Sequence, residues 1–373
     1  MATVKLNIVD IIPNGDSAES GQNSEPSLAV DPLDPRQMIA GSFGGGTPYF
    51  KTVNSGTTWS HYGTLTTDDK SLAWKQDGSA ALTATLFSLS ATTAEINTYS
   101  GTSAGSNFGS PINIFDQVPS HDLDQPWIRT GPSNHVYVTY NDLSASGGRT
   151  ASILVSPVGG FNLTVSSNLD RVGGSAPAGF AQDAPTVRTA VNGNTVYAIF
   201  TRWNTVVEND SDGARLGSQV VIVRSDDGGA DLFTAFGPGD GVQVATTISA
   251  FPPDTPSPTT PQTPLTLGQE RIGGDAAIAV DPNNAMHVVV AYGNAPGPDH
   301  SGELQLVVTE STDGGMNWTP KFSTPALAGG IKSALPALSI LQNGTIGLLY
   351  ASYDPATDKF SQHLLTTTND FAA

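Results

Sequence analysis

Two distant stretches of the chain read almost alike, and their likeness limits the folds available to it. Glu25-Pro26-Ser27-Leu28-Ala29-Val30-Asp31-Pro32 is followed by a strand-like run, Met38 to Phe43. Asp275-Ala276-Ala277-Ile278-Ala279-Val280-Asp281-Pro282 is followed by His287 to Tyr292. Related units begin at Asp124-Gln125-Pro126-Trp127-Ile128, at Asp183-Ala184-Pro185-Thr186-Val187 and at Leu335-Pro336-Ala337-Leu338. Their second runs are His135 to Tyr140, Thr195 to Phe200 and Thr345 to Tyr350. A weaker unit starts near Ser71 and continues through Ala80 to Phe87. Six units in 373 residues average about 62 residues each, a period that marks a repeat architecture.

Each unit offers a buried strand, a turn, a second strand ending in an aromatic, a variable loop and a further hairpin. Four antiparallel strands per repeat predict a propeller blade, and six repeats predict an all-β, six-bladed β-propeller spanning residues 1–373 as one domain. Its blades start near residues 25, 71, 124, 183, 275 and 335. The strand Val4 to Ile8 is expected to complete the last blade and close the ring. Phe251 to Pro264 carries six prolines and reads as a polyproline-like excursion between the fourth and fifth blades. Lys, Glu and Gln are scarce and no helical stripe exceeds about two turns, which speaks against a helical bundle.

The second hairpin of the repeat carries a sharper motif. Ser311-Thr312-Asp313-Gly314-Gly315-Met316-Asn317-Trp318 fits Ser-x-Asp-x-Gly-x-x-Trp. Thr52-Val53-Asn54-Ser55-Gly56-Thr57-Thr58-Trp59 fits with Thr for Ser and Asn for Asp. Ser225-Asp226-Asp227-Gly228-Gly229 fits, with Leu232 at the Trp position and Phe233 next to it. Worn copies lie at Gly101 to Phe108, Ser156 to Leu163 and Thr366 to Phe371. An Asp or Asn can accept hydrogen bonds from its own turn, Gly supplies a positive φ, and the aromatic packs into the blade. These motifs resemble the Asp-box repeats of the sialidase superfamily, and the resemblance runs along nearly the whole chain. It implies the propeller fold, a structural role for Asn54, Asp227, Asp313, Trp59 and Trp318, and a carbohydrate ligand. Where that family carries an Arg-Ile-Pro motif that clamps the sialic acid carboxylate, this chain reads Ser24-Glu25-Pro26. The first loop on the same face, Gly44-Gly45-Gly46-Thr47-Pro48, has no carboxylate in the place of the family's acid/base Asp. The resemblance therefore implies the sialidase fold without the sialidase clamp.

Propeller topology sorts the polar residues. The starts of the innermost strands share one face with the loops between the second and third strands. Glu25, Asp124, Asp183 and Asp275 begin inner strands on that face, with Asp69 in the corresponding place of the second blade. Carboxylates converging on one axis repel one another, and so either share protons or hold a cation. They could form a general acid/base pair or a Ca²⁺ site with oxygen ligands. Asp124 and Asp183, assisted by His121, are the candidate catalytic residues. Glu25, Asp275, Arg202, Trp203 and Tyr353 are the candidate substrate contacts, with Trp203 as a loop-borne platform for a sugar ring. The blander reading makes each carboxylate a strand cap, Trp203 an exposed loop anchor and His121 a hydrogen-bonded loop residue, with His135 and His287 packing within strands.

Composition bounds the partners. Acidic residues outnumber basic ones 34 to 16, a net charge of −18 that repels phosphate backbones and speaks against nucleic acid. No apolar run of about 18 residues could span a membrane. The absence of Cys excludes disulfides and thiolate chemistry. With little Lys and much Asp, Gly, Thr and Ser, an extracellular or secreted protein is expected. Two functions stay open: a glycoside hydrolase-like enzyme using ring carboxylates, and a non-catalytic glycan- or protein-binding propeller. A lyase using His121 and Tyr353 is a third, without an Arg cluster to neutralise an acidic sugar.

Overall fold

The computed structural model describes residues 9, 11, 26–42, 48–65, 67, 69–90, 93–102, 108–109, 112–113, 121–156, 165–172, 174–177, 187–210, 213–239, 241–251, 275–295, 304–324, 332–354, 356–357, 359–368 and 371. Among them the strands fall into six antiparallel sheets, and there is no α-helix. The first sheet holds β1 (Ser27–Val30), β2 (Met38–Gly41), β3 (Pro48–Thr52) and β4 (Ser60–Thr64). The second holds β5 (Lys70–Trp74), β6 (Ala80–Ser90), β7 (Thr93–Thr102) and β8 (Ile112–Asn113). The third holds β9 (Leu123–Thr130), β10 (Val136–Asp142), β11 (Ala151–Ser156) and β12 (Val165–Asn168). The fourth holds β13 (Val187–Asn192), β14 (Thr195–Asp210), β15 (Gly213–Ser225) and β16 (Val242–Phe251). The fifth holds β17 (Ala276–Asp281), β18 (Asn284–Asn294), β19 (Gln305–Ser311) and β20 (Thr319–Ser323). The sixth holds β21 (Lys332–Ile340), β22 (Ile346–Asp354) and β23 (Lys359–Thr367). In every sheet the strands pair in chain order. Six successive up-and-down sheets of three or four strands are the blades of a six-bladed β-propeller. The expected closing strand Val4 to Ile8 and residues 252–264 of the proline-rich segment lie outside the described residues.

Contacts divide the chain into two compact units, one of residues 1–140 and 154–164, the other of residues 141–153 and 165–373. In the first unit, Ile39, Tyr49, Tyr62, Leu72, Trp74 and Tyr99 form a core shared by blades 1 and 2. Leu82, Ile96, Leu123, Ile128 and Val138 form another between blades 2 and 3. In the second unit the period of two is written out on β18. Val288 and Val290 face blade 4 with Tyr197, Ile199 and Ile222, while Val289 and Ala291 face blade 6 with Leu306, Val308, Ile346 and Leu348. A strand buried on both faces needs apolar side chains at every position, which is why these segments read as unbroken runs rather than alternating ones.

The hairpin motifs are built alike in blades 1, 4 and 5. The hydroxyl of the first residue donates to the Asn or Asp: Thr52 Oγ1 to Asn54 Oδ1 at 2.9 Å, Ser225 Oγ to Asp227 Oδ1 at 2.9 Å, Ser311 Oγ to Asp313 Oδ1 at 2.8 Å. The same hydroxyl accepts the N–H of Gly56, Gly229 or Gly315. Trp59 and Trp318 close the turn by donating Nε1–H to the carbonyls of Gly56 and Gly315. Blade 4 has no Trp here. Leu232 and Phe233 both adopt positive φ, 57° and 63°, which buries the Phe233 ring and leaves Leu232 exposed. The worn copy at Ser156 to Leu163 lies almost wholly outside the described residues.

Candidate functional site

In the first unit, β9 is laced to β5 by hydrogen bonds spaced along both inner strands. Thr130 Oγ1 donates to the Trp74 carbonyl, the Ile128 N–H donates to Ser71 Oγ at 2.9 Å, and the Gln125 N–H donates to Asp69 Oδ2 at 3.2 Å. Ser27 plays the part of Ser71 one blade earlier, accepting the Leu72 N–H at 3.0 Å. Each of these serines lies two residues after the acid that opens its strand, Glu25 or Asp69.

At the head of this lacing two carboxylates meet. The Gln125 N–H also reaches Asp124 Oδ1 at 2.9 Å. One amide hydrogen therefore lies between Asp69 Oδ2 and Asp124 Oδ1, which places those oxygens within about 6 Å of one another. The backbone makes this possible. Gln125 has φ +51°, a left-handed conformation that turns its N–H toward blade 2 immediately before Pro126. Leu335 repeats the device before Pro336 with φ +56°. Asp69 is buried and Asp124 half-buried. Lys70, next to Asp69, is buried with its Nζ 5.5 Å from the centre of the Tyr49 ring. Burial pushes the Tyr49 phenol well above its ordinary range, against the hydrogen bond it shares with Thr83, so it stays neutral. His121 is half-buried, and its carbonyl accepts the Ala94 N–H, tying the entry of β9 to β7.

A different kind of centre occupies the second unit. Asp170 is buried and receives Arg202 Nε at 2.8 Å and Arg149 Nη1 at 3.7 Å. Arg149 spends its other donors on backbone carbonyls: Nη1 on Trp203 at 2.8 Å, Nη2 on Ser175 at 3.2 Å and Nε on Gly174 at 3.4 Å. Desolvation lowers the proton affinity of Arg149, Asp170 opposes that shift, and Arg202 adds to it. Arg215, also buried, donates to the Ala295 carbonyl at 2.9 Å and lies 3.6 Å from Glu208. This centre clamps the segment after β12 to β14.

The site residues expected from sequence fall into three groups. Asp124 stands in the carboxylate pair with Asp69, and His121 precedes it on the same strand entry. Asp183 and Glu25 lie outside the described residues. Arg202 and Trp203 do not stand in a loop: both belong to β14, and Trp203 is 1% exposed. A ring so enclosed is a core residue, and the expectation of an open stacking platform at Trp203 is corrected. β14 and β15 stay paired out to Asp210 and Gly213, so what reads as a polar loop is one long hairpin. Asp275 is half-buried, and its carbonyl accepts the Gly293 N–H just as that of Asp69 accepts the Leu86 N–H. Tyr353 is half-buried, 4.9 Å from the Phe360 ring and packed against Ala295, Leu304 and Ala334. Arg149 and Asp170 were not legible as a pair. The rarity of Arg in so acidic a chain is the one signal that points to Arg149. Among the described residues no group of three or more His, Cys, Asp or Glu side chains could hold a metal ion.

No protein-family model matches the sequence, and no curated protein does. Solved structures do match. An α-L-arabinofuranosidase from Fusarium graminearum has 11% identity over 93% of this chain and 93% of its own, with a TM-score of 0.55. The leech intramolecular trans-sialidase has 10% identity over 96% of this chain and 70% of its own, with a TM-score of 0.54. An intramolecular trans-sialidase from Ruminococcus gnavus has 10% identity over 97% of both chains, with a TM-score of 0.53. The fold is thus the sialidase-like six-bladed propeller. At such identity the likeness speaks for the fold and leaves the chemistry to the residues.

Proposed function

We propose that this protein acts on carbohydrate as a glycoside hydrolase-like propeller, with Asp69 and Asp124 as its working carboxylates. The observation that carries the reading is the convergence of both side chains on the Gln125 N–H. Glycosidic bond cleavage by the common route needs two carboxyl groups, one to protonate the leaving oxygen and one to attack or to activate water. A spacing of at most about 6 Å lies closer to the roughly 5–5.5 Å of retaining enzymes than to the roughly 6.5–9.5 Å of inverting ones. His121, three residues before Asp124 in the sequence, is the candidate assisting residue, and Asp183 remains a candidate partner. An acidic pair in a chain of net charge −18 suits a neutral sugar better than a sialic acid or a uronate. The similar structures of glycoside hydrolases support a glycan ligand, and the composition supports secretion.

The test is hydrolysis of a panel of polysaccharides and fluorogenic glycosides, run with Ca²⁺ and with chelator, on the parent and on Asp69→Asn, Asp124→Asn and Asp183→Asn. The reading expects turnover of a neutral glycan with retained anomeric configuration, cut by at least about 10²-fold by Asp69→Asn and by Asp124→Asn. Full activity in both variants would overturn the assignment. A chelator effect would bring Ca²⁺ into the site. The second reading is a non-catalytic glycan- or protein-binding module. It is favoured by the same hydrogen bonds, because Asp69 also serves as a lacing residue between blades. It expects no turnover together with glycan-array binding that Asp124→Asn weakens.

A further inference from the structure

The inner and outer hairpins of blades 1 and 5 correspond position by position, with nine more residues between the two hairpins in blade 5, and one row of side chains differs between them in charge. In blade 1, Gln37 Nε2 donates to Asp31 Oδ2 at 3.3 Å, and Lys51 Nζ lies 5.8 Å from the centre of the Tyr62 ring. The pairings Ile39 with Lys51 and Val289 with Glu310 fix the correspondence. Asp281, His287, Glu310 and Lys321 take the places of Asp31, Gln37, Lys51 and Tyr62. His287 Nδ1 lies 3.1 Å from Asp281 Oδ2, His287 Nε2 lies 2.8 Å from Glu310 Oε1, and Lys321 Nζ lies 2.5 Å from Glu310 Oε2. The row takes one side chain from each of β17, β18, β19 and β20, and so crosses the whole blade.

We infer that Asp281, His287, Glu310 and Lys321 form a protonation-dependent tie across blade 5. The imidazole has a carboxylate oxygen on each nitrogen, and only the doubly protonated ring presents N–H to both. The Nε2 contact is close but not aligned as a hydrogen bond, and Nε2 is buried, so charge rather than hydrogen-bond direction holds it. The neutral ring would turn a lone pair toward one carboxylate, and the row would pass from balanced charge to a net −1. Its neighbours cannot make up the difference. On β15, Arg224 is already paired with Asp226 at 2.9 Å and donates to the Gly314 carbonyl at 2.8 Å. Asp313, in the adjoining hairpin, adds negative charge. Asn192 and Asn283, on the facing turns, are neutral amides. The row adjoins the Asp313 hairpin through Gly314, whose N–H donates to the carbonyl of Met286, the residue before His287. Deprotonation at the imidazole therefore loosens the join between the Asp313 hairpin and the inner hairpin of blade 5, while blade 1 keeps a row with no imidazole in it.

The test is amide hydrogen exchange from about pH 5 to about pH 9, with the blade 1 hairpin around Gly56 as internal reference, alongside NMR titration of the His287 ring. Protection at Gly314 and Gly315 is expected to fall about tenfold relative to Gly56 as the ring loses its proton. His287→Gln, which installs the blade 1 residue, is expected to remove that dependence. So is the triple replacement His287→Gln, Glu310→Lys and Lys321→Tyr, which keeps the test alive should the single variant fold poorly. A flat ratio in the parent, or an unchanged dependence in a folded variant, would overturn the inference.

Discussion

Asp170→Asn removes a buried carboxylate that lies within reach of two buried guanidiniums, and its cost follows from that geometry. The substitution keeps the shape of the side chain and deletes its charge. Arg202 loses its 2.8 Å partner, and Arg149 loses the anion 3.7 Å away. Arg149 keeps its bonds to the carbonyls of Gly174, Ser175 and Trp203, which are dipoles and do not neutralise it. Breaking a buried pair from one side costs about 3–5 kcal/mol, because the charge left behind cannot return to water. Unfolding entropy near about 2.1 cal/mol/K per residue over 373 residues gives roughly 0.8 kcal/mol/K, so Tm should fall by about 4–6 °C. The assay is calorimetric or circular-dichroism melting, with Asp34→Asn as control. That variant breaks a pair whose side chains are 69% and 28% exposed, and it should leave Tm unchanged. Adding Arg202→Met to Asp170→Asn removes one stranded charge and should recover part of the loss. A shift for Asp170→Asn no larger than that of the control would refute the view that this centre is a clamp.

Trp203→Ala empties a fully enclosed site and should cost about 3–5 kcal/mol in chemical denaturation, while leaving glycan turnover per folded molecule unchanged. A selective loss of turnover with normal stability would return Trp203 to the binding site. The Asp313 carboxyl is held at about 2 by the side chain and N–H of Asn317, by the Ser311 hydroxyl and by the Met316 N–H, against a small opposing effect of burial. Its folded value lies below the unfolded value of about 3.9, so its stabilisation is complete above about pH 4 and is lost as pH falls through about 2. Asp313→Asn should therefore melt with a shallower pH dependence than the parent between about pH 4 and pH 2, and equal slopes would contradict the hydrogen-bond assignment.

The fold was legible because its information is local and repeated. Val288 to Ala291 must pack on two sides at once, and an unbroken apolar run is the mark of that burial. The turn of Ser311 to Trp318 carries its own hydroxyl, carboxylate and glycines, so its internal hydrogen bonds can be read from eight consecutive residues. The site was harder to read for the opposite reason. Asp170 lies far in sequence from Arg202, and neither residue carries a local signal of the other. Trp203 looks like a loop aromatic beside Asn204, Glu208 and Asp210. Those residues, however, belong to a bulged hairpin in which Trp203 and Leu216 are buried while Val206 and Val207 are exposed. Charge and polarity were read as a loop, and here they stand in a paired ribbon that starts with a buried Arg202 and Trp203.

Repeats also show where a structural residue could become a chemical one. The acid that opens an inner strand has a backbone duty that any residue could perform: the carbonyls of Asp69 and Asp275 accept the N–H of Leu86 and of Gly293 in the same way. Its side chain is spare for that duty. In blade 2 the spare carboxylate reaches across to lace the next blade through the Gln125 N–H. A lacing bond needs one acceptor, and at Gln125 there are two, because Asp124 turns its own carboxylate onto the same hydrogen. Two like charges drawn together at a single donor cost free energy that the lacing alone does not require. A non-glycine residue held at positive φ adds to that cost. The positive φ recurs before Pro336 at Leu335, but the meeting of two carboxylates at one N–H separates the Asp69–Asp124 pair from the serine lacing around it, and that proximity is the physical ground for proposing the chemistry there.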